Sequence, residues 1–192
     1  MMGHAVLSLG HLRAGRVWTL VTYAFSHQNA VHLGSNMLAL YFFGSNVAAA
    51  CGGGFLLALY FSAAVVAGAA HLGWSYLALV NGARALGRPL HPSDYQYAPG
   101  ALGASGSVNA VVVLGCCLFP TQTVLLYGIV PLPAVLFGAG YVLFDVAGVL
   151  GDGQRTSSGQ NVGHAAHLGG ALAGALTYWA YRRGRIRPSY RW

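Results

Sequence analysis

The 192-residue chain contains no lysine and no glutamate. Its ten basic residues are all arginine, and its three acidic residues are Asp94, Asp145 and Asp152. Charged residues make up 7% of the chain, against roughly 25% in soluble domains. That scarcity excludes an ordinary water-exposed surface. The hydrophobic share of 56% and the mean hydropathy of +0.56 point to a polytopic membrane protein. Cysteine is also scarce. Cys51, Cys116 and Cys117 lie in or beside apolar runs, their number is odd and no CxxC occurs. A disulfide framework and a thiolate zinc site are therefore excluded, and the three read as packing residues. No basic face is interleaved with aromatics, which excludes nucleic-acid binding. The net charge of +7 reads instead as topology and contact with lipid headgroups. No basic region leads into a clean apolar core at the N-terminus, so no cleavable signal is expected.

What is abundant is glycine, with 28 residues. Small residues let membrane helices approach closely, as a site embedded in a bundle requires. The pattern predicts one all-α membrane domain over 1–192. Residues 1–29 form an interfacial segment, with Trp18 and Tyr23 suited to the headgroup zone. Residues 30–181 form a helical bundle and 182–192 a basic tail. Five spans are expected: 30–50, 55–80, 103–119, 124–150 interrupted by Pro131 and Pro133, and 164–181. They are joined by polar loops over 81–99 and 151–162. An odd number of spans leaves the two termini on opposite sides. The arginines of 182–187 mark a side that is not translocated.

Polar groups inside such spans are costly and are functional candidates by default. Three pairs stand out: His32 with Asn36, Ser105 with Asn109, and His164 with His167. Ser105 lies in Gly103-Ala-Ser-Gly106, where glycines allow close approach to its hydroxyl. His32 and Asn36, four residues apart, share a helix face and can aim an imidazole N–H and an amide at one point. With the Ser105 backbone N–H they could make part of an oxyanion hole; the other reading of the pair is that both hydrogen-bond to loop backbone. His167 is followed by Gly170 and Gly174, a small-residue stripe suited to packing on the Gly103–Gly106 end of the third span. That contact would bring His167 to Ser105 as base to nucleophile. The sequence Ala-Ala-His-Leu-Gly occurs at 69–73 and at 165–169, and only the second continues into the stripe. His71 therefore reads as a capped or interfacial histidine, and His164 as solvated at a helix start. Asp145 and Asp152 lie at or beyond the end of the fourth span and Asp94 lies in a loop. A Ser105–His167 dyad without a carboxylate is thus expected.

His32-xxx-Asn36, Gly103-x-Ser105-Gly106 and Ala166-His167-xx-Gly170-xxx-Gly174 on alternate spans resemble the rhomboid intramembrane serine proteases. The resemblance extends from about Arg16 to Tyr181. Gly-His164-Ala-Ala-His167-Leu-Gly-Gly, Leu-Gly-Ala-Ser105-Gly and the Phe144-Asp145-Val-Ala-Gly-Val-Leu segment look most like the mitochondrial, presenilin-associated branch. The resemblance implies a rhomboid-like helical bundle and a Ser105/His167 dyad, with His32, Asn36 and the Ser105 amide as oxyanion hole. It also implies a second histidine, His27, ahead of the first motif. The family core has six spans, so its first helix is expected to be missing here. Asn109 stands where bacterial members often carry an aromatic. The implied partners are transmembrane protein substrates and the lipid bilayer, with no cofactor, no metal and no nucleic acid. Two other readings fit the residues: a non-catalytic rhomboid-like protein that binds transmembrane clients, and a metal site built from His27, His32, His164 and His167.

Overall fold

The computed structural model describes residues 4–126, 128–151 and 163–186. Two short helices, α1 (Leu9–Arg13) and α2 (Thr19–Thr22), lead through a 3-10 turn at Tyr23–Phe25 into the bundle. The bundle comprises α3 (Ala30–Cys51), α4 (Gly53–Ala85), α5 (Ser105–Leu118), α6 (Ala134–Leu150) and α7 (His164–Arg182). These are the five segments expected as spans. Among the described residues, α4 is the helix long and apolar enough by itself to cross a membrane; α5 and α6 are apolar, with 14 and 17 residues.

α5 is the central helix. Every residue from Gly106 to Cys116 is buried, as befits a helix apolar all round. Its largest interface is with α7, and α4 packs against both. The α5–α7 contact needs glycine. A Cβ on Gly170 would overlap the Gly106 carbonyl oxygen, and one on Gly174 would overlap that of Ala110. A Cβ on Gly106 would come within 2.5 Å of the Ala67 side chain. The two Ala-Ala-His-Leu-Gly copies also meet, since a Cβ on Gly169 would lie 2.6 Å from that of Ala70.

Three expectations are corrected. Residues 123–133 do not begin the fourth span: β1 (Thr123–Leu126) pairs antiparallel with β2 (Val130–Pro133), and the helix starts at Ala134. Pro131 and Pro133 lack the N–H that a helix needs. Two residues apart, they put both gaps on the strand edge that β1 leaves unpaired. Tyr23 does not project from the surface as a headgroup anchor would. It is 2% exposed, and its hydroxyl donates to the Ala64 carbonyl at 2.7 Å. His71 is not interfacial either. It is buried in α4, with Nε2 3.1 Å from the Pro99 carbonyl and 3.3 Å from the Ser75 hydroxyl.

The N-terminal segment is fastened to the chain that precedes α5. Leu7 is fully buried and exchanges both backbone hydrogen bonds with Ala101, at 2.9 and 2.8 Å. Arg13 stacks over the Tyr95 ring at 4.2 Å in the 3-10 turn Pro92–Tyr97. In that loop the Arg88 guanidinium grips Asp94 through two bonds of 2.8 and 2.9 Å, and the His91 N–H adds a third at 2.8 Å.

Two predictions follow from the packing and this loop. Gly170→Ala should destabilise the bundle by about 2 kcal/mol or more, since neither backbone can retreat. Gly140→Ala, at an open helical position, should be neutral or slightly stabilising; unfolding in detergent measures both. The Arg88 hydrogen bonds hold the Asp94 carboxyl down at about 2. Its contribution to loop order is therefore full above about pH 4, the ordinary carboxylate value, and lost as pH falls through about 2. Asp94→Asn should remove that dependence, followed by hydrogen exchange in residues 88–97.

Candidate active site

The turn into α5 sets the position of Ser105, its first residue. Gly103 has φ +121°, a conformation that side chains disfavour, and its N–H donates to the Tyr23 carbonyl at 2.9 Å. The Ala104 N–H points to His27 Nε2 at 3.5 Å. Burial lowers the proton affinity of His27 and favours the neutral ring that can accept this bond. A Cβ on Gly103 would lie 2.6 Å from His32 Cε1, so the His32 ring rests on the Gly103 backbone.

On the other side, the glycine contact of α7 brings His167 Nε2 to 2.8 Å from Ser105 Oγ. His167 Nδ1 lies 2.9 Å from Asp145 Oδ1 on α6. His164 Nδ1 lies 2.7 Å from the same oxygen. A carboxylate can only accept, so each Nδ1 carries the proton. His167 Nε2 then presents a lone pair, and the Ser105 hydroxyl donates to it.

The carboxylate missing from the sequence reading is thus Asp145, 1% exposed and facing both histidines. It sits five residues before the end of α6, about 7.5 Å inside the helix at 1.5 Å per residue. The available signal was the ionisable residue within an apolar run. His164 is likewise not solvated: it is buried beneath α6, where a Cβ on Gly148 would overlap its ring. Asp145 Oδ2 faces Asn109 Nδ2 at 3.4 Å, and the Tyr141 hydroxyl donates to Asn109 Oδ1 at 2.9 Å. Among the described residues no buried side-chain polar atom lacks a partner.

A cavity of about 460 Å³ opens over these groups, lined among others by His32, Asn36, His71, Ser105, Tyr141 and His167. His32 Nδ1 accepts the Gln28 N–H at 3.5 Å, which leaves the proton on Nε2, beside Gly103. Asn36 gives one amide hydrogen to the His32 carbonyl at 2.9 Å and keeps a second. The Ser105 N–H lies in the first helical turn, where backbone donors have no acceptor within the helix. The metal set read from sequence is corrected. Among the described residues, the ligating atoms that converge are those of Asp145, His164 and His167, within 4.8 Å, without His27 or His32. Their N–O separations of 2.7 and 2.9 Å are those of hydrogen bonds.

The rhomboid domain model matches residues 14–184. The chain belongs to the rhomboid family. It is 36% identical to the Arabidopsis thaliana RHOMBOID-like protein 12, mitochondrial, over 97% of this chain and 53% of that protein. It is 30% identical to the Arabidopsis thaliana Rhomboid-like protein 16, chloroplastic, over 97% of this chain and 56% of that protein. It is 36% identical to the Danio rerio Presenilin-associated rhomboid-like protein A, mitochondrial, over 83% of this chain and 36% of that protein. The chain therefore spans about half the length of the first two. It is a rhomboid of the mitochondrial branch, a helical integral protein of the inner membrane.

In this rhomboid, Gly103→Ala should both strain the turn and displace His32. The expected result is a loss of about 1–3 kcal/mol in stability. A shift of the His32 ring resonances in a histidine-labelled spectrum should accompany it.

Proposed function

We propose that this rhomboid is an intramembrane serine endopeptidase that cleaves transmembrane segments of protein substrates in the bilayer, with α3–α7 as its five spans. The observation that carries the reading is the hydrogen-bonded line Ser105 Oγ, His167 Nε2, His167 Nδ1, Asp145 Oδ1, with separations of 2.8 and 2.9 Å.

As Ser105 Oγ attacks the scissile carbonyl, its proton passes to His167 Nε2. The imidazolium so formed keeps its Nδ1–H on Asp145, which stabilises the new charge and holds the ring in place. The carbonyl oxygen becomes an oxyanion facing His32 Nε2–H, the free Asn36 amide hydrogen and the Ser105 N–H. The C–N bond then breaks, and the leaving amine takes the proton from His167 Nε2. Water entering through the cavity gives a proton to the same nitrogen and attacks the acyl ester; as the ester C–O bond breaks, His167 returns that proton to Ser105 Oγ and the carboxylic acid product leaves. No cofactor enters these steps. The carboxylate turns the expected dyad into a triad in this mechanism.

The test is cleavage of a model transmembrane substrate in liposomes, together with labelling of the serine by a fluorophosphonate. Ser105→Ala should abolish both. Asp145→Asn should lower kcat by about 10³-fold or more, because the amide cannot fix the tautomer. His32→Ala should cost about 100-fold, the usual effect of one oxyanion donor. Equal cleavage by the wild type and Ser105→Ala would sink the reading. Substrate capture without cleavage or labelling would favour a client-binding rhomboid.

A further inference from the structure

We propose that Tyr141 and Asn109 are positioning residues of this site: the Tyr141 hydroxyl anchors the Asn109 amide, and that amide fixes the rotation of Asp145. The proposal rests on the protease reading for its kinetic consequence, but its geometry stands apart from it.

Asp145 Oδ1 already accepts two imidazole N–H groups, so its aim depends on what holds Oδ2. That neighbour is Asn109, 1% exposed in the middle of α5. An amide can present either a donor or an acceptor to a carboxylate. The carboxylate can only accept, so the NH₂ faces Asp145, and Asn109 Oδ1 then accepts the Tyr141 O–H at 2.9 Å, which holds the amide in that pose. A flipped amide would set oxygen against oxygen in a buried site. The hydroxyl is itself held by packing, since the Tyr141 ring stacks on Phe137 (5.9 Å between centroids, 12° between planes). Phe137 stacks in turn on Phe43 of α3, at 5.7 Å and 18°. A directional chain of donors thus runs from Tyr141 through Asn109 to the carboxylate that orients His167, while the stacked rings brace it against the helix that bears His32.

Tyr141→Phe deletes one O–H and keeps the stacked ring, so it isolates this interaction. We expect kcat in liposomes to fall roughly 10-fold, the lower end of the effect of removing an outer hydrogen-bond partner of a site. Asn109→Leu should cost at least as much. Tyr141→Phe added to Asn109→Leu should then cost nothing further, a non-additivity that general loosening of the fold would not give. Full activity of Tyr141→Phe, or losses that multiply in the double variant, would overturn the proposal. A second arm needs no catalysis. In ¹⁵N-histidine-labelled protein, the Nδ1–H signals of His164 and His167 should shift in Tyr141→Phe relative to the wild type. Unmoved signals would overturn the proposal even where Asn109→Leu fails to fold. If the wild type neither cleaves nor labels, the protease reading fails, and the shifts alone decide the positioning claim.

Discussion

The near contact of two backbones, Gly170 of α7 on the Gly106 carbonyl of α5, is the constraint from which the site follows. In a bilayer no hydrophobic effect pushes helices together, so association depends on close packing and buried hydrogen bonds. Removing two side chains lets α7 sit one backbone radius nearer to α5. His167, one turn before Gly170, is then carried over the first turn of α5, where Ser105 begins the helix. A side chain at Gly170 would overlap the Gly106 carbonyl and push the two helices, and with them His167 and Ser105, apart. The glycine stripe is therefore an element of the site as much as of the fold.

The same turn is held from the opposite side. Tyr23 takes the Gly103 N–H, His27 faces the Ala104 N–H and Leu7 pairs with Ala101. These three anchors come from the N-terminal segment, which is thereby sewn into the wall of the site. The buried Tyr23 hydroxyl ties that segment to α4 through Ala64, and α4 packs against α7. His167, Ser105 and the turn before it are thus braced by one set of contacts.

Much of this was legible in the sequence. His32, Asn36, Ser105 and His167 could be found because each is a polar residue in an apolar helix, and the Gly170/Gly174 spacing named the face on which His167 packs. What could not be read depends on contacts between segments far apart in the chain. Asp145 looked like a helix-end residue since its distance from water depends on how α6 tilts against α7. His71 shares the same short pattern with His167 and His164 lies one turn before it, and local sequence does not say which faces a cleft. Tyr23 has the amphipathic character of an interfacial anchor, and only the neighbouring Ala64 carbonyl commits it to the interior. The β1–β2 hairpin was hidden by apolar residues that suit a strand as well as a helix; the alternating prolines were the clue that favoured the strand.

The electrostatics of Asp145 bear on why such an arrangement exists at all. An ionised carboxylate with 1% exposure loses several kcal/mol of hydration, and hydrogen bonds must offset it. Here two imidazole N–H groups and an amide do so, and each donor is itself braced: His164 by the Gly148 surface, Asn109 by Tyr141, His167 by Ser105. An apolar side chain at this position would leave the bundle at least as stable and would need none of the donors. Under the proposed protease mechanism the donors have a use, since a proton would arrive at His167 Nε2 while the Nδ1–H stays put. In that mechanism a preorganised anion on the far side of the ring would stabilise the imidazolium at the moment it forms, with no solvent to reorganise.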